Sequence, residues 1–205
     1  FLTEKMKIDE KFLKNILTSG EAAINSIKNF DYGKLFFHLG PARDNKIYQG
    51  LENYKTKIEK CDYILCTGLY DNQMEKLDFY EKLLKNSLNK NMICTNPDLI
   101  VDRGNMQEYC AGTIAKLFES MGGKVIYFGK PYKEIYNSIL KEKDKALIIG
   151  DNLRTDIKGA NEINQDSLFI LDGIHKNEVK ELNSLSKIFK KYNVETNFVQ
   201  EQLNW

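Results

Sequence analysis

The sequence predicts an α/β protein in which two strand–helix units share one chain. Three observations lead there. Residues 124–171 alternate strand, helix, strand, helix, strand with short connections, which is the pattern of a parallel sheet covered by helices. Residues 34–100 repeat the alternation more loosely. Finally, Asp151 stands at the end of an apolar run, the position at which such sheets place their ligands.

The elements follow in order. The opening 1–32 predicts a helix around 9–15, a short strand at NILTS (15–19) and a helix beginning near Gly20. KLFFHLG (34–40) and CDYILCTG (61–68) are strand-like. Residues 71–89 carry Met74, Leu77, Tyr80, Leu84 and Leu88 at steps of three and four, a helical stripe, and NMICTN (91–96) is the next strand. Over 107–121, Ile114, Leu117, Phe118 and Met121 form a second stripe, closed by Gly122 in the usual place past a helix C-terminus.

KVIYF (124–128) then predicts a buried strand, and KEIYNSIL a helix with Ile135, Tyr136, Ile139 and Leu140 on one face. KALIIG (145–150), a helix over about 153–164 and SLFIL (167–171) complete a sheet expected to contain all three of these strands. The tail is polar and helical near 178–191, and its apolar end, Val199, Leu203 and Trp205, is expected to pack on the core. The second unit spans roughly 33–122, which divides the chain into 1–32, 33–122 and 123–205.

Composition sets bounds on function. A chain of 205 residues with 42% hydrophobic and 29% charged residues is that of a globular protein rather than a disordered one. A net charge of +1, without a basic aromatic-interleaved stripe, argues against nucleic acid as a partner. Apolar runs such as ALII (146–149) are far short of a membrane span, and no basic-then-apolar leader opens the chain. Cys61, Cys66, Cys94 and Cys110 show no CxxC spacing, and only His38 and His175 could join them, so free thiols in a reducing cytoplasm are expected rather than a zinc site.

Chemistry concentrates in three stretches. In LIIGDNLRTDIKGA (147–160), Asp151 ends a strand and Asp156 lies in the first turns of the next helix, so NLRT can fold both carboxylates toward one small volume. Two bare carboxylates about 4 Å apart repel by roughly 4 kcal/mol at an effective dielectric near 20. A divalent cation reverses that sign, and two hard oxygen ligands suit Mg²⁺. The alternative makes Asp151 a helix N-cap and Asp156 a solvated surface acid. In GKP (129–131), Pro131 fits a first helical position, and Lys130 opposes the helix dipole unless an anion binds there. The third stretch, CTNPDLIVDRGN (94–105), is a polar turn after a strand; Asn-Pro and Pro-Asp also mark ordinary loops.

Taken together, TSGE (18–21), TNPD (95–98), GKP (129–131) and GDNLRTDI (150–157) resemble the haloacid dehalogenase (HAD) superfamily, class IIA, the NagD-like hydrolases, in order and spacing and over essentially the whole chain. The resemblance implies a Rossmann-like core with a large α/β cap inserted between the second and third motifs. It implies that Lys130 steadies the phosphoryl group and nucleophile, that Asp151 and Asp156 hold Mg²⁺, and that the cap loop helps choose a small phosphorylated metabolite. Asn96, Asp98, Arg103, Asn105 and Asn152 are the polar groups offered to that substrate. Oligomerisation through the cap is a further expectation.

One departure is serious. The family's first motif, DxD, supplies the attacking aspartate and the general acid/base, and no DxD occurs anywhere in the 205 residues. The second motif, a Ser or Thr after the next strand, also lies upstream of the matching region. The expectation is therefore a phosphatase working through an aspartyl-phosphate, with its nucleophile on an absent segment and the present chain inactive alone. The alternative is a non-catalytic fragment or pseudoenzyme acting as a binding or oligomerisation module. Without the missing strands, KALIIG should expose an apolar, unpaired edge.

Overall fold

Burial on both faces explains why the first strands read as unbroken apolar runs. In the computed structural model the described residues are 3–13, 15–73, 76–103, 106–179 and 185–203. Four parallel strands, β1 (Phe36–Leu39), β2 (Tyr63–Cys66), β3 (Asn91–Cys94) and β6 (Lys124–Tyr127), form one sheet in the order β1-β2-β3-β6. The in-register set Ile64, Met92 and Val125 faces α2 (Leu77–Leu84) and α3 (Ala111–Ser120), packing with Leu84, Ile114 and Phe118. On the opposite face Phe36, Tyr63, Leu65 and Ile93 pack against Ala22, Ala23 and Ile27 of α1 (Ser19–Lys28). Thr18 caps α1 by accepting a hydrogen bond from the Glu21 amide at 3.1 Å.

A second, three-stranded parallel sheet holds β7 (Leu147–Gly150), β8 (Asp166–Ile170) and β9 (Phe198–Gln200) in that order. One of its faces is closed: Phe169 packs on Leu153 and Ile157 of the turn after β7, on Ile188 of α6 (Leu185–Tyr192) and on Val194. The other face is open. Register puts Leu147, Ile149, Leu168 and Phe198 on that side, and Leu147, Ile149 and Phe198 are 47%, 38% and 54% exposed. Among the described residues β7 pairs only with β8, so its outer edge is free as the sequence predicts.

Several expectations are corrected. The strand at 124–127 hydrogen-bonds to β3, not to the 147–150 and 166–170 strands, so the four-stranded sheet runs past the boundary drawn at 122. The cause is α3, which crosses back over its own sheet and buries Ile114, Ala115 and Phe118 there. The predicted strand at 15–19 is absent; Thr18 is the N-cap of α1, and the preceding helix reduces to a 3₁₀ turn, Glu10–Phe12. The loop after TNPD is an antiparallel hairpin, β4 (Ile100–Arg103) with β5 (Met106–Tyr109).

The helix after GKP is short, α4 (Lys133–Asn137), with Tyr132 as its N-cap, so Pro131 precedes it and follows a cis peptide. In the tail, Val199 sits in the unexpected β9, and Val199 and Leu203 are exposed rather than packed on the core. Met74, Asn105 and Trp205 lie outside the described residues.

Candidate active site

Open parallel sheets gather ligands at the carboxyl ends of their strands, and here two such edges meet. β3 runs into Thr95–Asp98, β6 into Gly129 and Lys130, and β7 into Asp151 and Asn152. Between them lies a cleft of about 350 Å³, lined on one side by Ser19, Asn96 and Asp98 and on the other by Lys130, Asn152 and Thr155. Gly129 makes the join possible. Its φ of +132° disfavours any side chain, and an added Cβ would stand 2.6 Å from Cδ of Pro97.

The chain between the acids forms one wide turn, a π-helical segment over Leu153–Ile157 that leads directly into α5 (Lys158–Glu162). The Asn152 side chain caps it, accepting from the Arg154 amide at 2.9 Å, and the Asn152 carbonyl accepts from the Asp156 amide at 2.9 Å. That winding turns Asp156 back inside, where it is 5% exposed. Its Oδ2 accepts the Asn152 amide at 3.1 Å and its Oδ1 accepts the Lys130 ammonium. Gly150 leaves the room, because a Cβ there would lie 2.3 Å from Cβ of Asp156.

Asp151 is half-buried at the end of β7, and its Oδ2 accepts the Ile174 amide at 2.9 Å from the loop after β8. Burial first, and then the charge of Asp156, pushes the Tyr136 phenol up to about 12, so it stays protonated beside the acids.

The structure thus brings Lys130, Asp156 and Asn152 into direct contact and puts Asn96 and Asp98 across the same cleft. Asn96 spends its side-chain oxygen on the Asp98 amide at 3.1 Å, closing the turn that presents both residues. Arg103 ends β4, on the hairpin that leaves the cleft, and its side chain is outside the description. Ser19 and Thr155 line the cleft and were not singled out from the sequence, although each lies inside a motif, TSGE and GDNLRTDI. Asp151 and Asp156 are the groups that could hold a cation. Among the described residues no group of three or more His, Cys, Asp or Glu side chains is arranged to hold a metal ion.

Comparison with known proteins gives this geometry a family. The model of the HAD-hydrolase-like family matches residues 127–196. A haloacid dehalogenase-like hydrolase from Brucella suis is 30% identical, with 92% of this chain and 72% of that one covered at a TM-score of 0.67. The chain therefore belongs to the haloacid dehalogenase-like hydrolases.

Two further structures share the fold. The p-nitrophenyl phosphatase from Archaeoglobus fulgidus is 18% identical, covering 94% of this chain and 76% of its own, at a TM-score of 0.69. The 4-nitrophenylphosphatase from Thermotoga maritima is 21% identical, covering 91% and 69%, at 0.64. No curated protein matches the sequence.

Proposed function

We propose that this chain carries the metal- and substrate-binding part of a Mg²⁺-dependent phosphatase of small phosphorylated metabolites. The observation that carries the proposal is the convergence of Lys130, Asp156 and Asn152 at one mouth of the cleft, beside the strand end that bears Asp151. Asp151 and Asp156 offer the hard oxygen donors that Mg²⁺ takes, and two carboxylates leave room for the waters and phosphate oxygen it keeps. When bound there, Mg²⁺ would be held by these two side chains and would neutralise phosphate charge.

The remaining chemistry belongs to the chain itself. Lys130 places a fixed positive charge where a phosphoryl group would enter, and the neighbouring carboxylate holds it there. The Asn152 side chain and the Ser19 and Thr155 hydroxyls line the cleft as neutral hydrogen-bonding groups for the organic part of the ester. The four-stranded unit is the cap in this reading, since it supplies Asn96 and Asp98 to the cleft from outside the sheet that bears the acids.

The attacking group would be an aspartate outside these residues, forming and then losing an aspartyl-phosphate. The missing DxD supports that assignment, as do the free edge of β7 and the uncovered face beside it, which offer a neighbouring strand its place. A phosphatase assay with Mg²⁺ over a panel of phosphate monoesters tests the assignment. The 205 residues alone should release phosphate at background rate. Robust turnover abolished by Asp151→Asn would refute the external nucleophile.

A further inference from the structure

Arg154 stands between the two acids in sequence, three residues after Asp151 and two before Asp156. Three positions on from half-buried Asp151, a guanidinium can approach that carboxylate and pair with it bidentately. The Arg154 side chain is exposed, so burial does not hold it away from Asp151. It points elsewhere all the same. Its Nη2 donates to the Tyr192 hydroxyl at 3.1 Å, and its guanidinium carbon lies 4.9 Å from the Tyr192 ring centroid.

Tyr192 is itself fixed. Its hydroxyl donates to both oxygens of Glu178, at 2.8 and 2.9 Å, and its ring meets the edge of the buried His175 at 4.8 Å between centroids. Glu178 also takes the Lys191 ammonium at 2.6 Å and the His175 ring nitrogen Nδ1 at 2.8 Å, which ties α6 to the loop before it. That same loop supplies the Ile174 amide to Asp151.

We infer that Tyr192, anchored by Glu178, latches Arg154 away from Asp151 and so keeps that carboxylate available to a divalent cation. The inference rests on the metal reading proposed above. Released from the ring, Arg154 would swing onto Asp151, neutralise its charge and compete with the cation. Tyr192 is thus a positioning residue that acts through Arg154 and touches no ligand.

The test uses Mn²⁺ as probe, with its affinity for the folded chain read by electron paramagnetic resonance. Tyr192→Leu keeps apolar bulk and removes both ring and hydroxyl; it should weaken Mn²⁺ binding about threefold to fivefold, the scale of one exposed ion pair. Arg154→Ala should bind like wild type, and the double variant Arg154→Ala/Tyr192→Leu should recover wild-type affinity. Tyr192→Phe, which loses only the hydroxyl, should give a smaller loss and serves if the leucine variant does not fold.

A loss that persists in the double variant, or no loss on Tyr192→Leu, overturns the latch. If wild type binds Mn²⁺ no better than Asp151→Asn, the metal reading falls instead. The latch is then decided by the Arg154 Nε–H resonance. Asp151→Asn should shift that resonance in the Tyr192→Leu background and leave it in place where Tyr192 is present; the same response in both backgrounds overturns it.

Discussion

Lys130 and Asp156 are 26 residues apart in sequence, yet the ammonium of one meets Oδ1 of the other where the two sheets of the protein come together. The partners differ in setting. Lys130 is half-exposed and loses little solvation, whereas Asp156 is buried and depends on its two donors, Lys130 and the Asn152 amide. Removing the lysine therefore costs more than an exposed pair normally contributes, because it strands a buried carboxylate.

Lys130→Met should lower stability by about 1–2 kcal/mol, and Lys130→Met/Asp156→Asn by less than the sum of the single changes. Urea unfolding of the four proteins in one double-mutant cycle checks this. Strict additivity would show that the contact is energetically idle.

Gly150→Ala tests the packing behind the acids. An added methyl would stand only 2.3 Å from Cβ of Asp156, so the turn must shift outward. The expected loss is about 1–3 kcal/mol, the range for overpacking a tight site. The Asn152 amide should also lose its protection from hydrogen exchange as its bond to Asp156 breaks. An alanine variant with wild-type stability and exchange would show that the glycine is not needed for the fit.

A pH dependence follows from His38, buried at the end of β1 with Nε2 2.9 Å from the Thr67 hydroxyl. Burial first, and then the charge of Lys55, lowers its pKa from 6.5 to about 4, with Asn45 working against the shift. The unfolded chain therefore binds the proton more readily. The contribution of the neutral imidazole is complete above pH 6.5 and is lost as pH falls from 6.5 toward about 4. Its full size is on the order of 3 kcal/mol, of which about 2 kcal/mol falls between pH 7 and pH 5. Urea midpoints at pH 7 and pH 5 should differ in the wild type and converge in His38→Gln.

The open face of the second sheet predicts association. Leu147, Ile149 and Phe198 are exposed beside the free edge of β7, a combination that templates contact between chains. The weight-average mass of the purified chain from light scattering should rise with concentration, and Ile149→Lys should suppress the rise. The same concentration dependence of mass for the two proteins would mean that this face takes no part in contacts between chains.

How much of this was legible in the sequence depended on what each signal reports. Apolar runs such as YILC report burial, so the strand at 63–66 was plain, but the run at 124–127 carries no mark of its hydrogen-bond partner, and its place beside β3 could not be read from it. Turn residues Asn96-Pro97-Asp98 dominate the reading of the segment that follows, and the exposed hairpin behind them, with Leu99, Ile100 and Val101 open to solvent, offers no core-facing alternation to counter it. β9 was hidden because three residues in a polar tail are too few to show a period.

Lys130 and Asp151 stood out as candidates because they follow strand ends, where chemistry gathers, and Asp156 because it lies one turn further on. Ser19 did not, since its approach to Gly129 depends on how α1 lies against the β6 turn.

The central claim is that Asp151 and Asp156 serve a divalent cation. Isothermal titration of the 205 residues with Mg²⁺ in the presence of orthophosphate tests it most directly. One site is predicted for the wild type, lost in both Asp151→Asn and Asp156→Asn; equal binding by all three proteins, or none by the wild type, would contradict it.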